Sequence, residues 1–321
     1  MTSFKTAQRV SERVGNELER ERYGWEAQLE APSSAPANPP RLLAVLGDGC
    51  RVRQRVDTPD GTPPNQAEEA EFDNGWRECK AGVVASMLPG SFKKGEYRPP
   101  STLVQSHVAT MENIEEFGRR LKAEAERRGL REAREVVLVS DAGHGLPEMW
   151  KREFPGAEWV VDFYHVASRV AECAAELVTP GPKLAALRER WKGWLYNGEI
   201  SRLLKRLRFH ARRHADRPGE LSELAEGSPG RILWTHVRYI EKYRDHMAYP
   251  EYRARGWPIG SGTVEAFAKR IGNRMKAASK RWIRNGAEGI ATLIAERASG
   301  DGRWDQHWPD HVYGQPEMQP N

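Results

Sequence analysis

Two short apolar runs in this 321-residue chain are each followed closely by an aspartate. Leu42–Leu46 precedes Asp48, and Val136–Val139 precedes Asp141. Runs of this kind are typical of strands that are buried on both faces of a sheet. In open α/β sheets, ligands gather just outside the carboxyl ends of the strands, so both aspartates stand at positions suited to chemistry.

The order of the predicted elements indicates an α/β fold. Strands are predicted for Leu42–Leu46, Arg51–Val56 and Trp76–Met87, followed by a helix over residues 108–128. Further on we predict a strand at Val136–Ser140, a helix at Pro147–Phe154, a strand at Trp159–Phe163 and a helix at Val166–Val178. A meander followed by parallel additions is the order of the RNase H-like fold, a mixed sheet flanked by helices.

A long stretch without strand patterns separates the last predicted strand from Glu265. Residues 180–255 carry apolar positions at helical spacing only, so we predict an all-α insertion before the third acid. The predicted segments are an N-terminal helical remnant with a proline-rich linker (1–40), the first part of an RNase H-like core (41–179), the insertion (180–255), a C-terminal helical part of the core (256–308) and a tail (309–321).

Glu265 opens a predicted helix directly after Gly260–Ser261–Gly262, and Ser261 or Thr263 can cap that helix. One face of the helix is apolar, and a basic stripe begins at Glu265, which suits a phosphate backbone that runs past a metal ion. The basic residues predicted to contact DNA are Lys269, Arg270, Arg274, Lys276, Lys280 and Arg281.

Each acid also has a reading that involves no chemistry. Gly-Asp-Gly around Asp48 is common turn chemistry, and Asp141 can cap the helix that follows it. Glu265 can merely complement the helix dipole, and the basic stripe can be a solvated face.

Three carboxylates together suit a two-metal centre. Two divalent cations about 4 Å apart can clamp the attacking and leaving oxygens of a displacement at phosphorus. Hard oxygen ligands favour Mg²⁺, with Mn²⁺ as an alternative. We therefore expect two Mg²⁺ ions held by Asp48, Asp141 and Glu265, with Asp48 bridging them.

Composition narrows the function classes. A net charge of +5 and a pI of about 9.1 permit a polyanionic partner without establishing one. Three cysteines without a CxxC pattern argue against a disulfide framework and against a cysteine-based zinc site. No apolar stretch reaches the ~18 residues that span a bilayer, and the N-terminus has no apolar signal region. We expect an intracellular protein without a membrane partner.

Several motifs in fixed order resemble one enzyme family. They are Leu-Gly-Asp-Gly at 46–49, Trp-Arg-Glu-Cys-Lys-Ala-Gly-Val-Val at 76–84, Ser-Asp-Ala-Gly-His-Gly-Leu at 140–146, Trp-Val-Val-Asp-Phe-Tyr-His at 159–165 and Gly-Ser-Gly-Thr-Val-Glu-Ala at 260–266. In these motifs the chain resembles the DDE transposases of bacterial insertion sequences, specifically the Kra-type group, which is related to the Mutator-type enzymes. The resemblance covers about residues 41–308.

The resemblance implies a transposase core that cuts DNA at transposon ends and transfers the 3′-hydroxyl to target DNA, with Asp48, Asp141 and Glu265 as the catalytic triad. His165 fills the slot of a Cys-x-x-His pattern, where it can contact the scissile phosphate or orient a carboxylate. The family further implies a homodimer or higher homo-oligomer on DNA, in the bacterial cytoplasm with the nucleoid.

Two alternatives stay open at this point. Relatives carry an N-terminal DNA-binding region, whereas about 40 residues precede the first predicted strand here. One alternative is therefore a truncated or non-catalytic DNA-binding remnant of a transposase. The other is a metal-dependent nuclease with the same RNase H-like fold.

Overall fold

The computed structural model describes residues 4–24, 38–54, 75–143, 145–214, 222–276 and 281–307. In chain order the elements are α1 (Phe4–Tyr23), β1 (Leu42–Arg53), β2 (Trp76–Leu88), β3 (Ser91–Lys93), β4 (Glu96–Arg98), β5 (Ser101–Thr110), α2 (Ile114–Arg127), β6 (Glu135–Ser140), α3 (Leu146–Glu153), β7 (Glu158–Val161), α4 (Phe163–Ala175), α5 (Pro182–Tyr196), α6 (Ile200–Ala211), α7 (Pro229–Tyr243), α8 (Tyr249–Ala254), α9 (Gly262–Met275), α10 (Arg284–Ala298) and α11 (Arg303–His307).

A five-stranded mixed sheet in the order β5-β2-β1-β6-β7 forms the centre of the molecule. Strands β5, β2 and β1 pair antiparallel, while β1, β6 and β7 pair parallel. Strands β3 and β4 form a separate small hairpin. The predicted α/β class with a mixed sheet flanked by helices is confirmed, and the strand order is compatible with an RNase H-like fold.

Helices cover both faces of this sheet. Gly82 of β2 lies against Phe117 and Leu121 of α2, because a Cβ atom at Gly82 would meet their side chains. His107 of β5 contacts Phe267 of α9, with the rings tilted by 53° and their centroids 4.5 Å apart. Successive strand residues point to opposite faces, and Val83 rather than Gly82 pairs with His107. Helix α2 therefore covers one face and α9 the other.

Strand β1 differs from its prediction. A strand that stops at Leu46, with Arg51–Val56 as its hairpin partner, was wrong, because β1 continues through Asp48 to Arg53. The whole of β1 is paired with β2, including Gly47 with Gly82. This continuous ladder overrides the turn preference of Gly-Asp-Gly, since glycine also adopts extended backbone. Residues 55 and 56 lie outside the described residues.

The predicted helix over residues 108–128 begins too early. Residues up to Thr110 belong to β5, a strand that the sequence analysis missed, and α2 starts after Asn113. The Asn113 side chain accepts the N–H of Glu116 at 2.8 Å and so caps the helix. The apolar residues at the end of β5 continue the three- and four-residue spacing of the apolar residues in α2. The sequence pattern therefore predicted one helix over both elements.

The later predictions agree with the structure within a few residues. Strands β6 and β7 and helices α3 and α4 follow in the predicted order. Among the described residues between α4 and α9, every regular element is helical. The exact segment boundaries proposed from the sequence stay a prediction. No helix in the described part of the chain combines the length and apolar character needed to cross a bilayer.

Helix α1 packs against α10 through glycine. A Cβ atom at Gly15 would lie 1.9 Å from the carbonyl oxygen of Gly289, so the two backbones are in direct contact. Val10 and Leu18 of α1 are eight residues apart and so share one side of the helix, but Leu18 is buried whereas Val10 is 46% exposed. The contact face therefore follows the small residue rather than the apolar spacing.

Buried ion pairs hold the end of α1 in place. Arg22 pairs with Glu124 of α2 and with Glu296 of α10. Arg120 of α2 contacts Glu19 of α1 at 2.7 Å. All five side chains are buried or largely so, and charged groups in such a place need partners. Helix α1 is thereby tied to two other helices.

Candidate active site

Asp48 and Asp141 leave the parallel ladder at the same point. The register between β1 and β6 ends with Gly47 opposite Ser140, and each aspartate is the next residue of its strand. A Cβ atom at Gly47 would meet the ring of Trp150 in α3. Because neighbouring strand residues alternate between faces, Asp48 points to the opposite face, towards α9.

The end of β6 is fixed by a hydroxyl group. Ser140 accepts the indole N–H groups of Trp150 and Trp159 at 2.9 and 3.1 Å, and all three side chains are buried. Immediately afterwards, Asp141 Oδ1 accepts the N–H of Gly143 at 3.0 Å. Asp141 is therefore carried on a rigid strand end followed by a short Asx turn.

Glu265 lies in the first turn of α9, as predicted. Ser261 occupies the N-cap position, but its side chain caps no backbone N–H. Its hydroxyl instead donates to Glu265 Oε1 at 3.2 Å. The predicted capping role of Ser261 is therefore replaced by a contact that orients the carboxylate.

Asp162 connects the starts of two helices. Its fully buried carboxylate accepts the N–H of His165 at 2.8 Å and the N–H of Ser261. Burial alone would raise its pKa, but the hydrogen bonds from His165 and Ser261 lower the pKa overall. In addition, the N–H of Phe163 donates to the carbonyl of Ile259 at 2.8 Å. The beginnings of α4 and α9 are thus held side by side.

His165 lies between two carboxylates. Its Nδ1 atom is 3.5 Å from Asp162 Oδ1 and 3.5 Å from Glu265 Oε1. Contact with Asp162, together with the charges of Asp162, Asp141 and Glu265, raises the pKa of His165 to about 9. Nδ1 is shielded from solvent and makes no well-aligned hydrogen bond to the described residues. At neutral pH the imidazolium offsets part of the acidic charge.

The three predicted acids influence one another electrostatically. Burial raises the pKa of Asp48 to about 6, and the charges of Asp141 and Glu265 add to this effect. Asp48 and Asp141 line one cavity of about 140 Å³. Asp48 and Glu265 line an adjoining groove of about 530 Å³. The structure therefore brings the three carboxylates together with Asp48 in the middle, and their catalytic role stays a prediction.

The donor set fits hard divalent cations. Among the described residues, no lysine or arginine forms an ion pair with Asp48, Asp141 or Glu265. In the part of the chain that the structure describes, the ligand atoms that lie within 4.8 Å of one another belong to Asp162, His165 and Glu265, and Asp48 and Asp141 lie outside this group. Both Asp162 oxygens already accept backbone N–H groups, so we favour the set of Asp48, Asp141 and Glu265. Carboxylate oxygens that form no ion pair with lysine or arginine are hard ligands of the kind that Mg²⁺ prefers.

The predicted DNA-contacting residues separate into groups. Lys269 and Lys276 line the groove beside Asp48 and Glu265. Arg270 lies on another side of α9, close enough to His107 to lower the pKa of that histidine.

The continuous basic stripe through Lys280 was wrong in one respect, because α9 ends at Met275 and Lys276 is its C-cap. Arg274 and Arg281 are exposed and do not line the groove. Lys280 lies outside the described residues. Whether any of these side chains contacts DNA stays a prediction.

Some residues at the site were not found from the sequence. The N–H of Ala142 donates to the hydroxyl of Tyr239 in α7 at 3.4 Å, so the helical region touches the Asp141 loop. Cys50 lines the groove two residues beyond Asp48. Neither Tyr239 nor Cys50 stands in a motif, but a strand prediction that extended past Gly49 would have placed Cys50 on the same face as Asp48.

Comparisons with known proteins leave the family open. No family model and no curated protein matches this chain. Among solved structures, it is similar to the Drosophila P element transposase strand transfer complex, with 9% sequence identity and a TM-score of 0.36. The match covers 94% of this chain and 86% of that one.

Proposed function

We propose that this chain is the catalytic core of a DDE-type transposase, which cleaves a DNA strand and transfers the resulting 3′-hydroxyl to target DNA. The observation that carries the proposal is the convergence of Asp48, Asp141 and Glu265 at one end of the sheet. These acids have no lysine or arginine partner among the described residues. A groove with two lysines adjoins them, and the sequence motifs resemble those of this family.

Two divalent cations, Mg²⁺ or alternatively Mn²⁺, would be held by Asp48, Asp141 and Glu265. Bound there, they would stabilise charge on the phosphoryl oxygens and lower the pKa of the attacking water or hydroxyl group. The fit rests on the oxygen donors and on the lack of a lysine or arginine ion pair to these acids among the described residues.

The protein's own side chains would divide the remaining work. Burial and the neighbouring carboxylates raise the pKa of Asp48, because a negative charge without a counterion is poorly solvated there. A bound cation would supply that counterion. Ser261 donates to Glu265 and so limits its rotation. His165, beside Glu265, can orient that carboxylate or donate to a phosphate oxygen. Lys269 and Lys276 would bind the phosphates of DNA lying in the groove.

The helical region over residues 180–255 would be an insertion into an RNase H-like fold. The core helices on either side of it, α4 and α9, start next to each other through Asp162 and through the bond from Phe163 to Ile259. This proximity supports the view that the sheet and α9 form one functional unit across the insertion. Assembly as a homo-oligomer on paired DNA ends is part of the same proposal.

The test is strand cleavage of duplex DNA that carries the sequences flanking the gene, in Mg²⁺, Mn²⁺ or EDTA. We expect cation-dependent nicking and joining by the native protein. Asp48→Asn, Asp141→Asn or Glu265→Gln should each abolish both reactions while the circular dichroism spectrum stays the same. Asp245→Asn, at a side chain that is 86% exposed, is the matched control.

Three results would contradict the proposal in different ways. Cleavage by Asp141→Asn protein would show that Asp48, Asp141 and Glu265 do not act as a catalytic triad. Cation-dependent cleavage without any joining would indicate a nuclease with the same centre. DNA binding without cleavage in either cation would indicate a non-catalytic remnant.

A further inference from the structure

Two cysteines that are far apart in the sequence are partners in the sheet. Cys50 of β1 lies directly opposite Cys79 of β2 in the antiparallel register. Opposed residues in such a pair point to the same face, with Cα atoms about 4.5–5.5 Å apart. That separation falls inside the range of about 4.4–6.8 Å found across disulfides. The backbone therefore already meets the distance requirement for a bridge.

The side chains leave the sheet on the same side. Cys50 and Cys79 are directly opposed in the register, so their Cβ atoms lie next to each other on one face, and the Cys79 thiol contacts the carbonyl oxygen of Lys80 at 3.9 Å. Both cysteines are free, Cys79 is fully buried and Cys50 is partly exposed. Because Cys50 lines the groove next to Asp48, a small oxidant can reach its sulfur from the solvent. The third cysteine, Cys173, is buried in α4 and has no cysteine beside it among the described residues.

We propose that Cys50 and Cys79 form a dithiol that is reversibly oxidised to a cross-strand disulfide by hydroperoxides. Hydrogen peroxide converts the Cys50 thiol to a sulfenic acid and releases one water molecule. The Cys79 sulfur then attacks the Cys50 sulfur, the S–O bond breaks, and a second water molecule leaves. In sum, two thiols and one peroxide give one disulfide and two waters. A dithiol reductant reverses the reaction by exchange.

Bridging would alter the groove. A disulfide holds its sulfur atoms about 2.05 Å apart, which is much closer than thiols in contact. The Cys50 side chain must therefore move towards β2. Asp48 is two residues away on the same face of β1 and lines the same groove, so the moved Cys50 side chain changes the space beside that carboxylate. Displacements of about 1 Å at a catalytic group can cost about a hundredfold in rate.

The chemical test does not depend on any enzymatic activity. The intact protein is treated with hydrogen peroxide, blocked with an alkylating agent, and mapped by mass spectrometry after proteolysis. We expect a peptide pair linked through Cys50 and Cys79, the loss of two hydrogen atoms, and full reversal by dithiothreitol. Cys173→Ser protein should give the same linked pair, and Cys50→Ser protein should give none. Stable sulfinic acid at Cys50, or a bridge that involves Cys173, would overturn the inference.

The consequence for the groove rests on the proposed function. Each protein is compared with itself before and after oxidation, and cleavage by the native protein should fall at least about tenfold. Cys50→Ser protein should show no such change. If the disulfide is mapped but the cleavage rate does not change, the proposal that the disulfide alters the groove is refuted. A reduced protein that never cleaves counts against the proposed function only, since the peptide map still decides whether the dithiol exists.

Discussion

Gly47 and Ser140 face each other as the last pair of the parallel ladder between β1 and β6. Beyond this pair the strands separate, and each continues with an aspartate. The parallel direction places both carboxylates at the same end of the sheet, and the shared register places them at the same level. A shift of one residue in either strand would send one aspartate to the opposite face.

Asp48→Asn should stabilise the protein when no metal is present. The raised pKa of Asp48, about 6, means that the folded state holds a proton more tightly than the unfolded chain does. Stability is therefore lost as the pH rises from about 4 to about 6, when the buried charge forms. In urea unfolding with EDTA at pH 7.5, the free energy of unfolding of the variant should exceed that of the native protein by about 2 kcal/mol. Near pH 4 the two free energies should be equal. Asp245→Asn should change little, and a destabilised Asp48→Asn protein would contradict this explanation.

His107 should make the protein acid-sensitive. Burial, together with the charges of Arg270 and Arg22, lowers the pKa of His107 to about 4. The stability that depends on its neutral form is complete above about pH 6.5 and is lost as the pH falls through about 4. Lowering the pH from 7.5 to 5 should cost about 2 kcal/mol through this group. In thermal unfolding, the stability that His107→Phe protein loses between pH 7.5 and pH 5 should be smaller than the native loss by that amount. His214→Phe protein, changed at an exposed histidine, should lose as much as the native protein.

Lys276→Ala should weaken DNA binding equally for all sequences. A phosphate contact releases about one counterion, so the slope of log affinity against log salt should flatten by about one unit. Arg270→Ala is the matched control, because Arg270 belongs to the same helix but lies near His107 rather than in the groove. Fluorescence anisotropy over a salt series measures both variants. An equal effect of the two substitutions would mean that the groove does not hold the backbone.

Gly15→Ala should destabilise the protein although alanine favours helices. The new Cβ would lie 1.9 Å from the Gly289 carbonyl oxygen, so α1 and α10 must separate. Overpacking of this kind costs about 1–3 kcal/mol. Gly193→Ala in α5 is the control, because no atom lies within 4 Å of its Cβ position. That substitution should be neutral or should stabilise by up to about 1 kcal/mol in the same urea titration.

Asp162→Asn should loosen the start of α9. An amide has one acceptor oxygen where the carboxylate has two, so the N–H of His165 or of Ser261 loses its partner. We expect a loss of about 2 kcal/mol in stability and a pKa of His165 that falls towards its ordinary value. An NMR titration of His165 separates this positioning role from simple destabilisation. An unchanged His165 titration would contradict the proposed contact.

Much of the sheet was predictable because its parallel strands are short apolar runs with clear ends. Strand β6 and its aspartate needed no tertiary information. The extension of β1 through Asp48 could not be foreseen, because the pairing with β2 that enforces it comes from residues more than 20 positions away. The start of α2 was obscured because β5 and α2 place apolar residues in the same helical phase.

The three acids of the candidate site could be predicted from the sequence, whereas the contacts that position them could not. Asp48 stands between two glycines, Asp141 directly follows an apolar strand and Glu265 lies at a helix start, and such signals are local. The role of Asp162 depends on Ser261, about a hundred positions away, and only the folded chain shows the contact. The pairing of Cys50 with Cys79 likewise depends on strand register, which cysteine spacing does not encode.

The start of α4 and the start of α9 are held together by the hydrogen bond from Phe163 to Ile259 and by the two backbone N–H groups that Asp162 accepts. A long stretch of the chain lies between these two points. Everything from α4 to α8 leaves and returns at nearly one point. Evolution can therefore lengthen, shorten or replace this part of the protein without changing the distance between β7 and α9. Homologues that differ greatly in size could keep one unchanged arrangement of carboxylates.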